Sequence, residues 1–131
     1  MPTTLALIAH DGKKAEMLAF AQQHEALLRH YPLVATGTTG QLLMEKVGLT
    51  VERVASGPHG GDAQIAALVV TGVVGAVFFF VDPLTGHPHD PDIQSLLRIC
   101  NVHNVPLATN SASALCLMTA MEVARRGGEQ V

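Results

Sequence analysis

Four segments of this sequence gather hydroxyl, glycine, histidine and aspartate residues in a pattern that suits acid–base chemistry on an anionic ligand. They are His10-Asp11-Gly12-Lys13-Lys14, Thr36-Gly37-Thr38-Thr39-Gly40, Ser56-Gly57-Pro58-His59-Gly60-Gly61-Asp62, and Asp82 to Asp92, which ends in His87-Pro88-His89-Asp90-Pro91-Asp92. The threonine–glycine segment opens a helical pattern, where unpaired N–H groups and the positive end of the helix dipole favour an anion. Its glycines let the backbone approach and its hydroxyls add donors. It is not a P-loop, because the Gly-Lys-Ser/Thr ending is missing. Lys13 and Lys14 fall in the first turn of another helix, where a cation opposes the dipole by roughly 0.3–1 kcal/mol, a penalty that a bound phosphate reverses. The plainer alternative is a threonine N-cap at Thr38 or Thr39 beside two solvated lysines.

Asp62 follows Gly57, Pro58, Gly60 and Gly61. As structure alone it reads as the N-cap of a helix; the glycine-rich approach points instead to backbone held against a ligand. Ser56 is outside any Gly-x-Ser-x-Gly elbow, so an acyl-enzyme serine has no support. His87 and His89, one residue apart and near carboxylates, are a conceivable metal pair, but no third histidine or cysteine lies at ligand spacing and no metal is expected. Asp90-Pro91 reads as a helix start, with Asp90 as N-cap and Pro91 at N1. His24, His30 and His103 lie in or at the ends of helical patterns and are read as structural or surface residues.

The elements that must position these groups are short and apolar. Strands are expected at Leu5 to Ala9, Leu33 to Thr36, Val51 to Ala55, Ala76 to Val81 and Pro106 to Thr109, none with a clean polar alternation, as for strands buried on both faces. Between them Met17, Phe20, Ala21, Leu27, Leu28 and Tyr31 share one helical face, and Ile93, Leu96, Leu97 and Cys100 another. Five βα units predict an α/β fold with a doubly wound parallel sheet and helices on both faces. In such sheets ligands bind beyond the carboxyl ends of the strands, and all four polar segments follow strands. The uncharged stretch from Ala63 to Val81, 19 residues long, has the length of a membrane span. Gly72 and Gly75 divide it into a helix and a central strand. The final helix, from Ser111 to about Arg126, is apolar nearly all round, which predicts deep burial or a subunit contact.

Composition narrows the function classes. At 131 residues and 48% hydrophobic content the chain is expected to form one domain over residues 1–131. Eight Lys and Arg against eleven Asp and Glu leave a net charge of −3, which provides no field to hold nucleic acid. Cys100 and Cys116 sit in apolar helical patterns without a partner at metal or redox spacing, and are read as buried free thiols of a reducing cytosol. The start, Met1-Pro2-Thr3-Thr4, has no basic region of a secretory signal, so a cytoplasmic location is expected. No membrane association is expected.

Taken in order, Ala9-His10-Asp11, Ala35-Thr36-Gly37-Thr38-Thr39-Gly40, Ser56 to Asp62, Phe79-Phe80-Val81-Asp82-Pro83-Leu84 and Pro88-His89-Asp90-Pro91-Asp92 resemble the methylglyoxal synthases. The likeness runs from about Leu5 to Asn110. It implies a lyase that converts dihydroxyacetone phosphate to methylglyoxal and inorganic phosphate through an enediolate. It further implies no metal or organic cofactor, phosphate as an inhibitor, a homohexamer, and strand order 3-2-1-4-5. By the same resemblance Asp62 is the base, Asp92 the second catalytic carboxylate, and His89 and His10 the groups at the reacting oxygens, with His89 as electrophile. Lys14, Thr36, Gly37, Thr38, Thr39, Ser56 and Gly57 then form the phosphate cradle. His59 stands where a methionine is common in the family. The competing reading is a non-catalytic anion-binding module, since the same fold serves as the regulatory domain of the carbamoyl phosphate synthetase large subunit.

Overall fold

The apolar runs pair side by side as one parallel sheet in the computed structural model, which describes residues 3–128. Its strands are β1 (Thr4–Ala9), β2 (Leu33–Ala35), β3 (Glu52–Arg53), β4 (Val74–Phe80) and β5 (Leu107–Ala108), in the order β3-β2-β1-β4-β5. The helices are α1 (Lys14–Gln23), α2 (Glu25–Leu28), α3 (Gly37–Lys46), α4 (Gly61–Val70), α5 (Asp90–Val102) and α6 (Ser111–Arg126). The order reverses direction between β1 and β4, which places a crevice at the carboxyl end of β1. Met1 and Pro2, on which the reading of the chain's start partly rests, lie outside the described residues.

Each face of the sheet is sealed by its own helices, as the absence of polar alternation requires. On one face Leu5, Leu7, Phe78 and Phe80 pack with Met17, Leu28, Leu43, Met118 and Met121. On the other Ala6, Ile8, Val77 and Phe79 pack with Ile65, Val69, Ile93 and Leu96. Burying a side chain such as Phe78 or Leu96 stabilises the fold by about 1.5–3 kcal/mol.

Several expectations are corrected. The face that joins Met17 to Tyr31 is carried by two helices rather than one, because the chain turns at His24 (φ −111°, ψ 21°) before Leu27 and Leu28 return to the same core. Gly72, at φ 80°, ends the helical half of the 63–81 stretch. Gly75 does not divide it: it lies inside β4 where the β1 register shifts between Thr4 and Leu5, and a Cβ there would run into Thr3. It marks an irregularity in the pairing, a common role for a strand glycine. No helix among the described residues is long and apolar enough to cross a membrane. Cys100 is buried as expected, but Cys116 is exposed. In α6 only Ala114, Met118 and Met121 are buried, while Leu115 and Val123 stand on an exposed face.

Candidate active site

The segments after β1, β2, β3 and β4 meet over the carboxyl end of the sheet around a cavity of about 280 Å³. Among its lining residues are His10, Lys14, Thr36, Thr38, Ser56 and Gly57, together with Asp62, His87 and His89.

Asp62 is fully buried. It does not cap α4, contrary to the plainer sequence reading. The N-cap is Gly60, at φ 99°, and makes no side-chain cap bond. Gly61 lets the start of α4 close onto the segment that follows β3, since a Cβ there would meet the Ala55 carbonyl oxygen. Asp62 is thereby carried inward, and neither carboxylate oxygen has a hydrogen-bond partner among the described residues. His89 Nε2 lies 3.5 Å from its Oδ2. Burial pushes the Asp62 carboxyl above its ordinary value, and Asp92 pushes the same way against the opposing pull of His89 and His87. An unsolvated carboxylate whose lone pairs face no donor is a stronger base than one in water.

His10 follows β1 and is buried. Burial, reinforced by His87 and His89, lowers its imidazole to about 4, so the ring is neutral near pH 7. Its Nδ1 accepts a 2.9 Å hydrogen bond from the backbone N–H of Asp82. The fold thus supplies a third histidine beside His87 and His89, which spacing along the chain could not reveal; a ring nitrogen of each lies within 4.8 Å of the others. His10 and His87 are stacked, however, with centroids 3.7 Å apart at 23°. Stacked rings confine their in-plane lone pairs to two separate, near-parallel planes, and one ion cannot lie close to both, a poor geometry for a tetrahedral metal.

Lys14 lies in the first turn of α1 and reaches back to donate to the Ala9 carbonyl at 2.6 Å, with Asp11 Oδ1 at 3.3 Å. Lys13 turns elsewhere, to Glu16 at 3.2 Å. Thr36 is the N-cap residue of α3 without a side-chain cap bond, so the expected cap at Thr38 or Thr39 is not formed. The Thr39 hydroxyl is instead engaged with both backbone groups of Ala9, at 3.3 and 3.4 Å. The Gly37 N–H donates to the Ala55 carbonyl at 3.3 Å. Gly37 and Thr39 are not among the lining residues, and neither is Asp92, on the first turn of α5. The cap of that helix is His89 rather than Asp90. The Ser56 hydroxyl is 2.8 Å from His59 Nδ1, a bond that sequence spacing did not disclose. Away from the cavity, His24 is half-buried against Phe20, and His30 and His103 are exposed.

The arrangement can remove a proton with Asp62, stabilise the oxyanion that forms with ring N–H donors, and hold an anionic group between Lys14 and the hydroxyls of Thr36, Thr38 and Ser56. The chain as a whole is similar to known proteins. Residues 16–109 match the MGS-like domain family. The chain is 60% identical over 114 residues to the methylglyoxal synthase of Thermus thermophilus, covering 87% of this chain and 90% of that one. It is 52% identical over 127 residues to the methylglyoxal synthase of Ralstonia nicotianae, covering 97% and 94%. It also superposes on the crystal structure of methylglyoxal synthase from Elizabethkingia anophelis NUHP1 with a TM-score of 0.84 at 42% identity, over 89% of this chain and 77% of that one. The chain belongs to the methylglyoxal synthase family and is an enzyme with that family's activity.

Proposed function

We propose that this cavity performs the elimination of phosphate from dihydroxyacetone phosphate with Asp62 as the base; the observation that carries the assignment is its buried, unpartnered carboxylate beside His89. Asp62 takes a proton from the hydroxymethyl carbon next to the ketone, and the electron pair of that C–H bond forms the enediolate. In water such a carbon acid is far too weak for a carboxylate. Preorganised donors change that balance, and removal of one typically costs about 10²–10³ in rate. His89 acts as electrophile at the developing oxyanion, with the neutral ring of His10 beside it. Collapse of the enediolate then breaks the C–O bond to phosphate. The enol of methylglyoxal remains and ketonises, so that one triose phosphate gives one methylglyoxal and one phosphate. Asp92, whose charge helps to raise the Asp62 carboxyl, assists proton movement among the enediol oxygens.

Lys14, Thr36, Thr38, Ser56 and Gly57 hold the phosphate, while Gly37 and Thr39 brace the loop through Ala55 and Ala9. The product phosphate competes with substrate for that cradle. A purely anion-binding module needs no buried base, and Asp62 favours the enzyme over it. The reading includes one domain over residues 1–131, a cytoplasmic location consistent with the free thiol of Cys100, and a homohexamer. Support for assembly comes from the exposed apolar side of α6, with Leu115 and Val123. The test is incubation with dihydroxyacetone phosphate and identification of products. Equimolar methylglyoxal and phosphate are expected, whereas glyceraldehyde 3-phosphate would mean isomerisation and overturn the elimination. Light scattering of the same preparation should give a hexamer; a monomer at micromolar concentration overturns the assembly.

A further inference from the structure

One residue, Asp82, fixes the protons of two histidine rings through its backbone. Its carbonyl can only accept, so the 3.3 Å contact with His87 Nε2 makes that nitrogen a donor. Its N–H can only donate, so the 2.9 Å bond to His10 Nδ1 makes that nitrogen an acceptor. A neutral imidazole carries one proton, and on His10 it must then sit on Nε2. That nitrogen is buried and has no partner among the described residues. The two rings are stacked at 3.7 Å, and Phe79 meets His10 edge-on at 5.1 Å and 73°. His10 is thus held between an aromatic ring of the core and a histidine of the loop that follows β4.

We propose that His87 is a positioning residue of the reaction: its stack on His10 and its bond to the Asp82 carbonyl keep His10 in the Nε2–H tautomer, aimed at an oxygen of the bound substrate. The consequence for rate rests on the reading of His10 as a donor to the reacting oxygens; the location of the His10 proton does not. Without His87 the Asp82 peptide loses one of its anchors and the His10 ring loses one of its two faces. Its Nδ1–H tautomer and other ring orientations then compete with the productive one. The phosphate cradle, built from Lys14 and the threonine and serine loops, is left in place.

The experiment reads tautomer and turnover separately. Imidazole nitrogen NMR of the wild-type protein should show His10 protonated at Nε2. His87→Ala should move the His10 signals toward a mixture of tautomers and lower kcat by up to about 10²-fold, with KM and phosphate inhibition close to wild type. His87→Phe, which restores the stack, and His87→Gln, which restores a donor to Asp82, should each recover part of kcat; they also serve if the alanine variant does not fold. Wild-type kcat and wild-type His10 signals in the variants overturn the proposal. So does a fall in kcat without change at His10, because His87 would then act by another route. A His10→Gln protein with wild-type kcat overturns the underlying reading of His10. That failure is told apart from the others by a His10 tautomer that still depends on His87.

Discussion

His89 Nε2 stands 3.5 Å from Oδ2 of Asp62, with both side chains buried and no hydrogen bond between them. The ring is near enough for a charge on it to bear on the carboxylate, yet the carboxylate's lone pairs stay open toward the cavity. A base tied to its neighbour by a short bond would have to break it before accepting a proton. Here the loop that carries His89 and the glycine-rich entry to α4 keep base and electrophile adjacent without making them partners.

The first prediction concerns pH. Burial and the charge of Asp92 both raise the Asp62 carboxyl above 3.8, so the acid limb of kcat should lie above that value. Dihydroxyacetone phosphate itself titrates on the acid side, which makes a comparison more telling than one profile. In Asp92→Asn one of the raising influences is gone, and the limb should move to lower pH although kcat is reduced. Coincident limbs in the two proteins would remove Asp62 as the titrating base.

Asp62→Asn should separate activity from stability. The substitution removes no helix cap, since the cap position belongs to Gly60. A carboxyl whose folded pKa is raised holds its proton more tightly when folded, so its contribution to stability is fullest below the unfolded pKa and is lost as pH rises through the folded value. At neutral pH the ionised, buried Asp62 therefore works against folding, and asparagine relieves it. Thermal unfolding should show a variant at least as stable as wild type at pH 7, with the difference closing toward acid pH. Turnover should fall by about 10²–10⁴, mainly in kcat. A variant with near-wild-type methylglyoxal production would pass the role of base to Asp92.

Much of this site was legible because sheet topology sends every segment after a strand to one edge, and the residues at those places are unusual for plain loops. Leu5 to Ala9 and the phenylalanine run of β4 declared themselves as central strands, with no competing period. The ends of elements were less legible. Thr36 ends β2 early because it serves as the N-cap residue of α3, and Val51 and Ala55 drop out because the edge strand β3 has one neighbour, so regular pairing there is limited to Glu52 and Arg53. Capping failed as a guide at Asp62, Thr38 and Asp90 because capping preference is local, whereas cavity and backbone contacts decide where these side chains point. The nearness of His10 to His87 and His89 is a tertiary fact, produced by the pairing of β1 with β4 in parallel register. No spacing along the chain encodes it.

Lys14 should matter for the phosphate end of the ligand. Its ammonium is already ordered by the Ala9 carbonyl and Asp11, so little side-chain freedom remains to be lost when an anion binds. Hydrogen bonds to charged groups contribute about 1.5–3 kcal/mol, which predicts for Lys14→Ala a rise of roughly tenfold or more in both KM and the phosphate inhibition constant. Steady-state kinetics with and without added phosphate measures both. Unchanged phosphate inhibition would take Lys14 out of the cradle.

Gly57→Ala tests whether the orientation of His89 matters apart from its presence. A Cβ at Gly57 would lie 2.8 Å from His89 Nε2 and 3.2 Å from its Cδ2, too close for the ring to stay where it is. The backbone at Gly57 does not have the positive φ that demands glycine, and the obstructing group is a side chain at a helix entrance, so the protein should fold with near-wild-type thermal stability. The ring must shift by a few tenths of an ångström or more, away from Gly57, and so leave the place it holds beside Asp62. Misplacement by about 1 Å can cost on the order of 10²-fold in rate, and kcat should fall well beyond any change in KM. Gly61→Ala provides the contrast. There the added carbon runs into the Ala55 carbonyl oxygen, a backbone atom that cannot rotate aside, and thermal unfolding should reveal a severely destabilised protein. If Gly57→Ala kept wild-type kcat, the His89 ring would be free to move without consequence, and its assignment as the electrophile could not stand.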